Sequence, residues 1–259
     1  MNIPIRNIVL IGSGNIAAYF GTVFAEHGCI ILQVISRNPE TGKTLAEKLG
    51  ADYSARYHIS DTADLVLIAV NDDAISAVAE AIDMRNAIVC HCAGAVDLDV
   101  LKRFERRAVI YPLQSMKGTL PVSEVPLLTE ASTENSLSEI EQLLSACGFT
   151  CLRTPSSRRL YYHLAAVFAN NFSNAMLSAS ETIESTYGLD SDVFKPLIRR
   201  TFENALLNTA HLSQTGPAIR QDAATMQKHV ELLKGHDALI ALYQAVSGFI
   251  ADRKTKESE

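Results

Sequence analysis

No stretch of the 259-residue chain holds the roughly 18 apolar residues in a row that a spanning helix needs, so no membrane partner is expected. A basic excess is missing too. Lys and Arg number 23 against 29 Asp and Glu, for a net charge of -6, which argues against a nucleic-acid partner. The five cysteines (Cys29, Cys90, Cys92, Cys147, Cys151) include no C-x-x-C pair. An odd count in so long a chain reads as reduced thiols in or near the core of a cytoplasmic protein. The start MNIPIRNIVLIGSG passes from a short apolar run straight into glycines, unlike a secretory leader. Internal repeats and low-complexity tracts are lacking. What is present, 47% apolar and 20% charged residues, is the composition of a folded soluble protein with material for one large domain or two ordinary ones.

The first half alternates two periods. Apolar runs at Asn7–Ile11, Ile30–Ile35, Leu65–Val70, Ala87–Cys90, Ala108–Tyr111, Val125–Thr129 and Thr150–Leu152 predict strands. Between them, helical spacing covers Asn15–Glu26, Pro39–Leu49, Ala74–Ala81 and Asn135–Ala146, with a short helical piece near Leu98–Phe104. LVLIAV has no polar face, as expected where helices cover both sides of a parallel sheet. This βαβ series predicts an α/β fold with a doubly wound sheet, its late strands open to antiparallel pairing. After Pro155 the pattern is helical: Ser157 to about Thr186 without Gly or Pro, then Val193–Asn208, Ile219–Leu233 and His236–Ala251, with a frayed polar tail from Asp252. The expected organisation is an α/β, Rossmann-like domain at 1–155 and an all-helical domain at 156–259.

IGSGNIA places Gly12, Gly14 and Ala17 in the G-x-G-x-x-G/A pattern, after a strand and opening a helix. Gly12 suits the tight turn, Gly14 the approach of a pyrophosphate, and Ala17 close helix–sheet contact. Ser13, Asn15 and Ile16 then offer backbone at the helix start, where phosphates bind. A dinucleotide cofactor is the reading; a tight turn in a fold that binds another ligand is the alternative. The second strand ends in Ser36, Arg37 and Asn38, where an NAD-preferring loop usually has Asp or Glu. Ser and Arg suit a 2'-phosphate, so NADP is expected over NAD. Val70 and Asn71 end the third strand at the edge where ligands of such folds bind. Asp72 or Asp73 is expected to cap the next helix. His91, in HCAGA, is placed near the nicotinamide, with a structural role as the alternative.

The long helical pattern holds His163, Asn170 and Asn174 at spacings of seven and four, hence on one stripe. These polar groups in apolar surroundings suggest a lined cleft; a satisfied histidine with helix-gluing asparagines is the alternative. TGPAIRQDAATMQKH reads as a helix start with Thr215 as cap and Pro217 in the first turn. Asp222, Thr225 and His229 lie on one broad side. Arg220 sits near that start, where the helix dipole gives it nothing, which hints at an Asp partner or an anionic ligand. The spacing of His163, His211 and His229 matches no usual zinc site, so no metal is expected.

These residues resemble one family. IGSGNIA, HCAGAVDLDVL, YPLQSM, YHLAAVFANNFSNAM and TGPAIRQDAATMQKH together are similar to the Rossmann-like proteins carrying a DUF2520 C-terminal domain. Those are related to NADP-dependent reductases of the pyrroline-5-carboxylate, ketopantoate and 6-phosphogluconate type. The resemblance covers nearly the whole chain and implies a Rossmann domain followed by a helical domain that commonly dimerises. Matching motif positions are His91 with Gly94, Pro112 to Ser115, His163, Asn170, Thr215 to Pro217, Arg220, Asp222, Thr225 and His229. YPLQSM is also similar to the His-Pro loop of prephenate dehydrogenases, with Tyr111 in place of their histidine. The lysine that the 6-phosphogluconate and ketopantoate enzymes carry in the first long helix has no counterpart between Ser156 and Asp192. The expectation is an NADP-dependent oxidoreductase moving hydride to or from a small carbonyl, imine, or hydroxy- or amino-acid-like substrate, anionic ones included; a non-catalytic nucleotide-binding sensor or scaffold is the alternative. His163 is expected as acid or base, Asn170 to orient the substrate, and Arg220 and His229 to complete the site.

Overall fold

A computed structural model describes residues 4–256. Eight strands form one sheet in the order β3-β2-β1-β4-β5-β6-β7-β8. They are β1 (Asn7–Ile11), β2 (Ile30–Ile35), β3 (Asp52–Ser54), β4 (Leu65–Ile68), β5 (Ile88–His91), β6 (Arg107–Pro112), β7 (Leu127–Ala131) and β8 (Cys151–Arg153). All neighbours pair in parallel except β6 and β7. Successive strand residues point to opposite faces. Ile8, Leu10, Leu65, Leu67, Ile88 and Cys90 therefore enter one apolar core, and Val9, Ile11, Val66, Ile68 and Val89 the other. That two-sided burial is why these strands read as continuous apolar runs. All five cysteines are free thiols, four of them buried.

Helices α1 (Asn15–Glu26), α2 (Pro39–Leu49), α3 (Ile75–Ala81) and α4 (Glu134–Ala146) join the strands. α2 has clear local signals: Asn38 caps it through Glu40 and Thr41 N–H, Pro39 opens it, and Gly50 closes it at φ +64°. The expected cap on α3 is not there. Asp72–Ala74 instead form a 3-10 turn after Asn71, with no side-chain cap.

The chain divides into two compact units, Met1–Phe172 and Ser173–Glu259. Secondary structure turns wholly helical after β8, yet the first helix that follows, α5 (Ser156–Ala166), belongs to the first unit. Its anchor is Arg159, only 1% exposed. The guanidinium pairs with Glu130 on β7 and donates to Val96 O at 2.6 Å and Ser156 Oγ at 2.9 Å. Ser156 Oγ donates to Glu130 at 2.6 Å and accepts from Leu98 N at 3.0 Å. A buried charge must be paired and hydrogen-bonded, and this network does both. It is the physical reason that the compact division falls later than residue 155.

Val167–Phe172 is a π-helical segment between α5 and α6 (Ser173–Tyr187). The one regular helix expected from Ser157 to Thr186 is thus interrupted. The second unit continues with α7 (Lys195–Leu207), α8 (Ala223–Leu232) and α9 (Asp237–Lys256). Helix α8 starts later than TGPAIRQDAATMQKH suggests. Gly216 (φ +111°) and Gln221 (φ +57°) break the backbone first, and Asp222 rather than Thr215 is the cap, accepting from Thr225 N. The tail expected to fray from Asp252 is helical through Lys256; its last three residues lie outside the described ones.

Candidate active site

The nucleotide cleft lies at the carboxyl edge of the sheet, where strand order reverses between β1 and β4. It encloses about 230 Å³. Gly12, Ser13, Gly14, Ser36, Arg37, Asn38, Val70 and Asn71, all expected there, line it together with Tyr57. Gly12 has φ +121° and its N–H donates to Ile35 O at 2.8 Å. A Cβ there would meet Ala69 O at 2.2 Å, so only glycine fits. Gly14 faces open space, and α1 has no side-chain cap. The uncapped first turn, which Asn15 and Ile16 open, is the cradle a pyrophosphate requires.

The far end of the cleft is preorganised by hydroxyls. Ser13 Oγ lies 2.8 Å from Ser36 Oγ and 2.7 Å from Thr41 Oγ1, stapling the glycine loop to the end of β2. Tyr53 donates to Ser36 O at 3.1 Å. Asn38 spends its side-chain oxygen on capping α2. Arg37 is exposed at the rim, and none of the lining residues is a carboxylate. Such a rim has no negative charge to repel a 2'-phosphate.

Past Asn71 the edge continues into a polar group. Tyr111 at the end of β6 and His163 on α5 meet with Oη 2.9 Å from Nδ1, rings edge to face. Gly94 packs beneath both: a Cβ would stand 2.6 Å from Tyr111 Cζ and 2.8 Å from His163 Nδ1. Burial pushes the Tyr111 phenol up, the Asp72 carboxylate adds to this, and the Arg159 charge opposes it. Asp72 follows Asn71, which ties this pair to the nucleotide cleft.

His91 is not at the cleft surface. It is 0% exposed at the end of β5, where its Nδ1 accepts from Ala93 N at 3.1 Å. Burial first, then the Arg159 charge, lower it to about 4, against the pull of Asp97. At neutral pH it is an uncharged member of the core. Asn170 is exposed on the π segment, whose wider turn takes it off the stripe that a regular helix would share with His163.

Arg220 and His229 belong to the second unit. Arg220 is exposed, and its charge helps hold the Asp222 carboxyl low, after the larger effect of the Thr225 hydrogen bonds. His229 Nδ1 lies 2.9 Å from Tyr243 Oη. Within that unit a cavity of about 380 Å³ is lined mainly by apolar side chains such as Met176, Ile183, Leu239 and Leu242. Among the described residues no group of His, Cys, Asp and Glu could hold a metal ion. No helix there is long and apolar enough to cross a membrane.

Sequence reasoning missed Tyr57, Thr41, Tyr111 and Arg159 as parts of these sites. Only Tyr111 had a visible signal, its place at the end of an expected strand within YPLQSM.

Residues 125–250 match the family described as Domain of unknown function (DUF2520), and residues 7–93 match NADP oxidoreductase coenzyme F420-dependent. The NADP oxidoreductase match thus precedes the DUF2520 match along the chain. NADP is accordingly the cofactor type of its nucleotide-binding half. Among solved structures, BF3122 from Bacteroides fragilis, named as a candidate NADP oxidoreductase, is 29% identical with a TM-score of 0.87 over 97% of this chain and 100% of that one. Protein TM1727 from Thermotoga maritima shares the fold at 23% identity and TM-score 0.70, over 97% and 100% of the two chains. So does the imine reductase from Myxococcus stipitatus in complex with NADP+, at 12% identity and TM-score 0.71, over 95% and 93%. No curated protein sequence matches the chain. The DUF2520 match begins before β7, so that domain includes the last two strands of the sheet as well as the helices.

Proposed function

We propose that this DUF2520 protein is an NADPH-dependent reductase of a small carbonyl or imine. The observation that carries the reading is the Tyr111–His163 pair at the sheet edge that also holds a carboxylate-free nucleotide cleft. Gly12, Gly14 and the first turn of α1 hold the pyrophosphate, and Ser36 and Arg37 the 2'-phosphate. The bound nicotinamide supplies hydride. His163 handles the proton, since an imidazole can both donate and accept one. A sensor or scaffold would need no such pair beside the cofactor. Asn170 orients the substrate; in the second unit, exposed Arg220 ahead of α8 is a candidate partner for an anionic group, and His229 on α8 a second polar group.

The protein acts as a homodimer through the helical unit. Support comes from the exposure of large apolar side chains there: Leu197 63%, Leu206 87%, Leu207 78% and Phe249 62%. Exposed patches of this kind mark interaction surfaces. Calorimetry with NADPH and NADH, followed by a panel of ketones, imines and hydroxy acids with bound cofactor, tests the reading. Tighter binding of NADH would overturn the assignment of Ser36 and Arg37. Turnover that survives His163→Gln would remove the proton role.

A further inference from the structure

Two neutral groups, a phenol and an imidazole, can share a hydrogen bond in two ways. If His163 Nδ1 carried the proton, it would donate to Tyr111 Oη. The phenolic O–H would then lack an acceptor in a part-buried place, since His163 is the hydrogen-bond partner this hydroxyl has among the described residues. If the phenol donates, Nδ1 accepts and both groups are satisfied. Burial and the neighbouring Asp72 charge keep the proton on the phenol. Geometry closes off other arrangements. Gly94 lies so close to Tyr111 Cζ and His163 Nδ1 that even a Cβ would clash, which leaves no space for a water between them on that side. Four residues before His163, Arg159 fixes α5 through Glu130, Val96 and Ser156, so the imidazole is presented from a rigid support.

We propose that Tyr111 is a positioning residue that holds His163 as the Nε2–H tautomer, making Nε2 the atom that donates to the substrate oxygen or nitrogen. This rests on the reductase reading above. As the proton moves, the Nε2–H bond breaks and an O–H or N–H bond forms on the substrate. In concert, the Tyr111 O–H bond breaks and an Nδ1–H bond forms. The imidazole stays neutral throughout, and the negative charge resides on the phenolate until water reprotonates it. The Arg159 charge favours that phenolate, while burial and the Asp72 charge oppose it and return the proton to Tyr111. An N–H donor needs a lone pair to meet it. The site therefore selects a ketone, an aldehyde or a neutral imine over an iminium cation, which has no such lone pair.

Nitrogen NMR of isotope-labelled histidine rings in the full chain tests this without any substrate. His163→Gln identifies the His163 signals by their loss. The expected wild-type pattern at neutral pH is an unprotonated Nδ1 and a protonated Nε2. Tyr111→Phe is expected to shift this pattern toward a mixture of tautomers, and Gly94→Ala to do the same by parting the pair. A wild-type Nδ1–H tautomer, or a pattern unchanged in whichever of the two variants folds, overturns the proposal. NADPH titration of the same samples separates the two readings: a wild type that binds no NADPH refutes the reductase while the ring pattern still decides the tautomer.

Discussion

Leu67 and Leu206 are the same residue in one chain, yet Leu67 is 0% exposed and Leu206 87%. The contrast extends to the units they belong to. In Met1–Phe172, two clusters of buried side chains fill both faces of the sheet. In Ser173–Glu259 the buried apolar side chains among the described residues are Ala218 and Leu233, while Leu197, Leu206, Leu207, Leu212, Leu232 and Phe249 stand exposed. Burial of apolar area is the main favourable term in folding. The first unit has that term within itself. The second has helices whose apolar sides remain to be covered, which is what supports a second copy of the chain as part of the finished fold.

The sharpest test of the contrast is truncation on each side. Leu67→Ala is expected to cost about 2–5 kcal/mol in denaturant unfolding, because its place in a packed sheet cannot collapse. Arg159→Met comes next, at about 3 kcal/mol. That is the low end for breaking a buried pair, because Glu130 keeps some solvent. It should also loosen α5, seen as faster amide exchange there.

Acid should separate the units too. His91 has an ordinary value of 6.5 and is lowered to about 4 in the fold. The folded state therefore binds fewer protons than the unfolded chain between those values. The stabilisation is complete above about 6.5 and is lost as pH falls toward 4, by roughly 3 kcal/mol in all. His91→Gln is expected to flatten this part of the stability–pH profile. A wild-type profile flat from 6.5 to 4 would show that His91 gains a proton in the fold without cost.

Arg37→Ala should leave stability unchanged within about 0.5 kcal/mol. It should weaken NADPH by about tenfold or more, the worth of a charge-assisted hydrogen bond of roughly 1.5 kcal/mol, with little change for NADH. Titration calorimetry reads both. The smallest effect on the fold is expected at the other leucine. Leu206→Glu should change unfolding of the dilute chain by less than about 0.5 kcal/mol, yet shift sedimentation from dimer toward monomer. A large loss of stability with no change in mass would mean that Leu206 is covered by its own chain.

Legibility divides along the same line. In the first unit, period agreed with tertiary burial, so β1, β2, α1 and α2 stand at the bounds their patterns gave. β3 went unseen because Asp52–Ser54 is short and has no apolar pattern; pairing with β2 alone makes it a strand. Local sequence revealed the glycine loop and the rim at Ser36 and Arg37. It did not reveal that Tyr111 lies against His163, since that contact joins residues 52 apart through the sheet. The stripe drawn through His163, Asn170 and Asn174 assumed 3.6 residues per turn, and no composition rule announces the π segment that breaks it. TGPAIRQDAATMQKH misled about where a helix begins, because its first residues contain both a cap and a proline while Gly216 and Gln221 take backbone angles that no helix allows.

The antiparallel β7 has a practical consequence for anyone wishing to cut the molecule. The DUF2520 segment begins at residue 125, and β7 spends its hydrogen bonds on β6 to one side and β8 to the other. A fragment starting there would expose the whole β6-facing edge of β7 and leave Arg159 without the Val96 carbonyl. Bare edges of that kind recruit other chains and aggregate. As a piece of inheritance the domain starts at the strand; as a piece of matter it does not come away from the sheet.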